Sequence, residues 1–424
     1  MQPAATQKSD FAQFHALAVN LGGRRIGVIN RLAGDRQLFA FEQDYVDDPH
    51  RPTLSLSFKG ERGGLVTALR PVTARVPPFF SNLLPEGHLR TYLAELAGVK
   101  PEREFFLLAA LGEDLAGAVT VTPWDAGERG NHPPLDERSP DNENQDQGDT
   151  ILRFSLAGVQ LKFSAVMESS GGLTIPAHGV GGSWIVKLPS TQFPSVPENE
   201  YAMLELARDV GITVPAIKLI SIKEIRGLPQ DAAHLKGKAL AVERFDRGPA
   251  GQRIHMEDFA QVFGVFPAGK YEGHSYANIA AVLWAEAGPE STFEFVRRLV
   301  FSVLIGNADM HLKNWSLLYP DGRTPILSPA YDFVSTVPYI PGDKLALSFG
   351  GSRSLGEITL DQVRHFVDTA GLPMKPVWDI VRETVERTVA AWKSIGPKQL
   401  LAAGIQSAIA KHIHTVAAHT GEKS

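Results

Sequence analysis

The chain has 424 residues, 43% of them hydrophobic and 21% charged, with a formal net charge of −5. That length calls for two or three domains, and the ordinary composition excludes a mostly disordered chain, a collagen-like repeat and a coiled-coil rod. With no cysteine, disulfides, thiolate zinc sites, iron–sulfur clusters and cysteine nucleophiles are excluded as well. No apolar run reaches the roughly 18 residues of a membrane span, and the N-terminal residues lack the apolar core of a secretory signal. The sequence therefore reads as a soluble, cytoplasmic protein with no membrane partner.

The charge is unevenly placed. Residues 125–149 hold eight acids against two arginines, so the rest of the chain sums to only +1. A nearly neutral body gives no electrostatic case for strong DNA binding by this chain alone.

Residues 1–124 open with strand signals, ALAVNL and RIGVINRL around Gly22-Gly23, then QLFAFE and TLSLSF. Helices are expected in SNLLPEGHLRTYLAELAG, starting at Pro85 and Glu86 and ending at Gly98, and in REFFLLAALG, before a strand in GAVTVTP. Residues 125–150, rich in Pro, Gly, Asn and Asp, are expected to form an acidic flexible linker. Residues 151–246 read as a strand-rich lobe: ILRFSL, KFSAVME, SWIVKLP, the helix ENEYAMLELARDVG, then AIKLISI and ALAVERF. Residues 247–424 read as mainly helical, with MEDFAQVFG, YANIAAVLWAEAG, EFVRRLVFSVLIG and a last helical region over 377–419. Short strands are expected in WSLLY and PILSPAYD. A strand-rich lobe followed by a helical lobe leaves a cleft suited to a nucleotide.

The sharpest string is GNADMHLKNWSLLY, which puts Asp309, His311 and Asn314 on a loop between an apolar helix and a strand. Asp309 and Asn314 have the D-x-x-x-x-N spacing of a protein-kinase catalytic loop. Such chemistry needs a carboxylate to take or orient a hydroxyl proton, and an amide oxygen for a magnesium ion on the phosphates. Asp332 in PAYDFVS follows as a second metal ligand, with Phe333 packed behind it. Lys187, inside an apolar strand, needs an anion, and Glu200 on the next helix is placed to hold it. Each residue alone has a plainer reading as a turn, strand-end or edge-strand group; their order is what a phosphotransferase requires. No P-loop, H-E-x-x-H or G-x-S-x-G string is present, and His412, His414 and His419 are spaced around a helix rather than on one face.

These residues resemble the HipA toxins of bacterial type II toxin–antitoxin systems. The likeness runs through NLLPEGHLR, FSLAGVQLKFSAV, WIVKLP, NEYAMLELARDVGITVPA, ALAVERFDR, EDFAQVFG, GNADMHLKN and PAYDFVS. It implies an α+β fold: a bilobal, phosphoinositide-kinase-like body with a strand-rich and a helical lobe, preceded by a small α+β N-terminal domain. It implies a serine/threonine kinase using ATP and Mg2+. Ala157, Gly158, Val159, Gln160, Leu161 and Lys162 would cover the phosphates, and Lys187 would bind ATP. Glu243, Arg244 and Phe245 would form the hinge beside the adenine, with Asp246 near the ribose. Asp309 would be catalytic, and His311, Leu312, Lys313 and Asn314 would form the nucleotide and metal loop. Tyr331, Asp332, Phe333 and Val334 would close the ATP site, Asn314 and Asp332 would hold the metal, and Ser155 would be autophosphorylated. The implied partners are a HipB-like helix-turn-helix antitoxin that carries the DNA contacts, and a protein substrate such as an aminoacyl-tRNA synthetase, glutamyl-tRNA synthetase being the family precedent. The rival readings are a small-molecule or lipid kinase, and a DNA-bound co-repressor with incidental kinase activity.

Overall fold

The computed structural model of the chain describes residues 14–124, 162–168, 172–175, 182–190, 192–228, 232 and 235–420. The acidic segment, the expected strand ILRFSL, Ser155 and loop positions 157–161 lie outside the described residues.

In the N-terminal unit, β1 (Ala16–Leu21) and β2 (Arg24–Leu32) form a hairpin around Gly22 and Gly23. Both glycines have positive φ (58° and 84°), which a two-residue hairpin turn demands and which glycine adopts without a Cβ clash. With β3 (Arg36–Phe41), β4 (Val72–Thr73) and β5 (Val119–Trp124) the sheet runs β4-β3-β2-β1-β5, antiparallel throughout. Helices α1 (Gln43–Val46), α2 (Pro78–Ser81), α3 (Gly87–Leu96) and α4 (Glu104–Leu111) complete the unit. The expected strand TLSLSF is instead a 3-10 turn, Leu56–Phe58. The Ser55 hydroxyl accepts from the Ser57 N–H and donates to Glu257, so a cap and a tertiary contact override the alternating pattern.

The second sheet is built from β6 (Lys162–Met167), β7 (Leu173–Thr174), β8 (Trp184–Lys187), β9 (Ile217–Ser221), β10 (Ile225–Arg226) and β11 (Lys238–Glu243), in the order β10-β7-β6-β8-β11-β9. Helix α5 (Val196–Val210) follows β8 and ends on Gly211 at φ 94°. Beyond residue 250 the chain forms β12 (His255–Asp258), α6 (Phe259–Val262), α7 (Tyr276–Glu286), α8 (Gly288–Leu304), β13 (Ser316–Tyr319), β14 (Ile326–Leu327), α9 (Leu360–Ala370), α10 (Met374–Ser394) and α11 (Ala403–Thr420). The expected helix MEDFAQVFG is half strand. Its first residues pair with β13, and the helix starts only where Asp258 and Gln261 cap each other reciprocally. None of the described helices is long and apolar enough to cross a membrane.

Among the described residues there are two hydrophobic cores. One joins the N-terminal unit to one face of the second sheet through Phe163, Val186, Ile220, Ala239 and Ala241. The other joins Leu240 and Val242 on the opposite face, together with α5, to α7, α8 and α10. The six-stranded sheet is thus a wall shared by both cores.

Candidate active site

Helix α8 ends at Gly306, whose φ of 67° turns the chain out of the helix; a Cβ there would meet Val337 at 2.6 Å. The next residues run beside the segment after β14, tied by Thr336 N–H to Gly306 O (2.8 Å) and Ala308 N–H to Thr336 Oγ1 (3.2 Å). Asn307 joins the two acid-bearing strings directly. Its Oδ1 accepts from the Asp309 N–H (3.1 Å), and its Nδ2 donates to the Asp332 carbonyl (3.1 Å). Asn314 closes the loop by donating Nδ2 to the Asp309 carbonyl (2.8 Å). That commits the amide nitrogen, and among the described residues nothing donates to the Asn314 oxygen.

Asp332 adopts φ 56°, left-handed for a residue with a Cβ, and so carries backbone strain. Its carboxylate is paired with Lys187, which also pairs with Glu200 on α5, and with Lys162 at 3.3 Å. Burial opposes the charge on Lys187, but Asp332 and Glu200 outweigh it and hold the ammonium above the usual lysine range. Burial likewise opposes ionisation of Asp332, yet Lys162 and Lys187 hold its carboxyl well below the usual carboxylate range. Asp309 lies at the cleft mouth, exposed by area but walled by protein, and this desolvation raises its carboxyl above the ordinary value. His311 is buried beside Lys270 and is pushed down to about 3, so its imidazole is neutral at physiological pH.

These groups border one cavity of about 750 Å³. Lys162, Lys187, Glu243, Arg244, Phe245, Asp246, His311, Lys313, Asn314, Tyr331, Asp332 and Val334 line it along with Asp309. Leu312 and Phe333 do not: both are core residues, 0% and 1% exposed. Among the hinge residues, Arg244 and Asp246 engage each other through two hydrogen bonds (2.8 and 2.9 Å), and Arg247 and the Gly117 N–H also bind Asp246. Their side chains are thus committed to the joint with the N-terminal unit. Phe245 packs against Tyr331 (ring centroids 5.6 Å apart), whose hydroxyl donates to the Lys313 carbonyl (3.0 Å). Asp332 and Asn314 offer hard oxygen donors. No group of three or more metal-binding side chains occurs among the described residues. This sparse set fits magnesium, which is commonly held by one or two carboxylates plus substrate phosphates.

Comparison with known proteins bears on what kind of site this is. A model of the HipA-like C-terminal domain matches residues 154–392, and one of the HipA N-terminal domain matches residues 17–122. The chain belongs to the HipA family. Y4dM of Sinorhizobium fredii, named as a candidate kinase, is 52% identical over 405 residues, covering 94% of this chain and 97% of that one. The serine/threonine-protein kinase toxin HipA of Shewanella oneidensis is 27% identical over 393 residues, 84% of each chain. A solved Shewanella oneidensis complex of HipA, HipB and operator DNA matches with a TM-score of 0.69 at 25% identity, covering 95% of this chain and 96% of that one. The bilobal kinase-like fold with an N-terminal unit is thus that of the HipA proteins.

Three further side chains, assigned no role at the site from sequence, reach it in this HipA-family chain. Tyr271 donates its hydroxyl to Asp309 Oδ1 (2.7 Å) and sets its ring edge-on to His311. Lys270 and Glu86 form an ion pair (2.8 Å) beside the loop. Glu86 lies within NLLPEGHLR, and that string was the only available pointer to it. Tyr271 and Lys270 sit in a loop with no local signature.

Proposed function

We propose that this chain is an ATP- and magnesium-dependent serine/threonine protein kinase acting as the toxin of a type II toxin–antitoxin pair. The observation that carries the reading is the meeting of Lys187, Glu200, Asp309, Asn314 and Asp332 around one cleft of nucleotide size. Lys187 holds the phosphates, and Glu200 keeps the lysine oriented. Asn314 and Asp332 hold magnesium, which neutralises phosphate charge when bound. Asp309 orients the acceptor hydroxyl and takes its proton; its raised carboxyl suits a group that must gain one. Glu243 and Phe245 flank the base, and Lys162 reaches the phosphates. Positioning and charge stabilisation supply most of the rate.

The solved relative bound to HipB and operator DNA supports an antitoxin partner. A HipB-like antitoxin would neutralise the chain and carry the DNA contacts, in keeping with a body whose charge outside residues 125–149 is only +1. The substrate would be a translation component such as an aminoacyl-tRNA synthetase, and Ser155 the site of self-silencing phosphorylation. The test is incubation of the purified chain with labelled ATP and lysate. Label on a protein band, lost in Asp309→Asn by about 10²–10⁴-fold in rate, is the expected result. Label only in a lipid extract would favour a lipid kinase, and an unimpaired Asp309→Asn would remove Asp309 from its role. Phosphosite mapping in the same samples reads Ser155 and the target together.

A further inference from the structure

Lys313 immediately precedes Asn314 in the 3-10 turn Leu312–Asn314, and it does not point at solvent. It is 7% exposed, its ammonium lies 2.8 Å from Glu86 Oε1, and it donates to the Asn82 carbonyl at 3.0 Å. Glu86 Oε2 accepts from Lys270, also 7% exposed, at 2.8 Å. The Lys270 carbonyl in turn accepts from the Leu312 N–H (3.2 Å). The contacts close a ring, from Glu86 to Lys270, along the backbone to Leu312 and Lys313, and back to Glu86. Asn82 fastens the same N-terminal segment to the other side by donating to the Val265 carbonyl (2.7 Å). Both acceptors belong to the N-terminal unit; both lysines belong to the catalytic side.

We propose that Glu86 is a positioning residue for the loop carrying Asp309 and Asn314, the N-terminal unit supplying the counter-charge that lets two buried lysines hold that loop. Two ammonium groups brought together away from water repel each other and are costly to desolvate unless a carboxylate lies between them. Without it, Lys313 must swing toward water, and the turn that aims Asn314 goes with it. Glu86 touches no reacting atom; it acts through Lys313 and Lys270. Its part in phosphotransfer rests on the kinase reading above, whereas its hold on the loop does not.

The experiment therefore reads both in the full-length chain. In Glu86→Gln, hydrogen exchange of the amides at 309–314 is expected to speed up at least tenfold, while those of β8 and β11 keep their rates. Phosphotransfer is expected to lose roughly 10- to 100-fold in kcat, the scale of a small misplacement of reacting groups, with the KM for ATP within about twofold. The cycle with Lys313→Met should be strongly non-additive, the double variant being no slower than the slower single one. Glu86→Asp keeps the charge one methylene short and should show the same changes to a smaller degree, which guards against a Gln variant that fails to fold. Unchanged exchange at 309–314 in both variants would overturn the proposal, as would multiplicative rate effects. A wild-type chain with no phosphotransfer would sink the kinase reading, and the exchange rates would still decide the role of Glu86.

Discussion

Tyr271 donates to one oxygen of Asp309, and in the proposed reaction the other would take the acceptor hydroxyl. A phenol donating to a carboxylate favours its ionised form, so this contact counters the upward pull of desolvation on Asp309. Tyr271→Phe removes that counterweight: Asp309 should bind its proton more firmly, and the acid limb of the pH–rate profile should move to higher pH. A hydrogen bond to a charged group contributes about 1.5–3 kcal/mol, so a rate loss of roughly 10- to 100-fold is expected. An acid limb that stays where it is in the wild type would show that Tyr271 does not orient Asp309. Lys187 makes a separate case. Lys187→Met leaves Glu200 and Asp332 facing each other without their shared cation. ATP affinity, read by calorimetric titration, should fall at least tenfold, and an unchanged affinity would exclude a phosphate contact.

At the scale of elements, the joint between β11 and the N-terminal unit is a packed set of charges. Arg244 is 2% exposed and Asp246 is 4% exposed, and Arg247 bridges Asp246 (2.8 Å) to Asp114 (2.9 Å). Asp246→Asn leaves Arg244 and Arg247 with Asp114 as their remaining counter-charge, and breaking such a set costs about 3–5 kcal/mol. A denaturant melt should show that loss, and a shift below about 1 kcal/mol would mean water already reaches the joint. What the sequence disclosed about these elements depended on whether a signal was local. The D-x-x-x-x-N string, the strand lysine and the glycine hairpin are short-range patterns, readable one residue after another. Tyr271 and Lys270 act across gaps that only folding closes, so no spacing rule points to them. TLSLSF misleads for the same reason: its alternation is genuine, but Ser55 spends its hydroxyl on Glu257, some two hundred residues away. The front of MEDFAQVFG became strand because β13 offered an edge. The Asp258–Gln261 capping pair that marks the true helix start was in plain view.

Across the whole molecule, Glu257 lies where the N-terminal unit meets β12 and β13. It accepts from Ser55 (2.5 Å), from the Leu56 N–H (3.0 Å) and from Tyr319. Burial nevertheless raises its carboxyl from 4.5 to about 7, the donors only partly offsetting the lost hydration. The folded state thus binds this proton more tightly than the unfolded state. Stability falls as pH rises from about 4.5 to about 7, and the loss is then complete. The size is on the order of 3 kcal/mol for a fully buried group. Glu257→Gln can still accept from Tyr319 and donate toward Ser55, so it should flatten this slope and be more stable than wild type at pH 8. Urea melts at pH 5 and pH 8 would check it; equal slopes in the two proteins would mean Glu257 stays ionised throughout.

The sheet β10-β7-β6-β8-β11-β9 gives one face to each of the two cores. Neighbouring residues of β11, Ala241 and Val242, therefore belong to different cores. Neither core can melt while the other stays intact, because losing one strips a whole face of the strands that the other needs. Chains of this length commonly unfold piecemeal, but this one should absorb heat in a single sharp transition. Scanning calorimetry decides: two separated peaks would mean the wall can lose one side and stand.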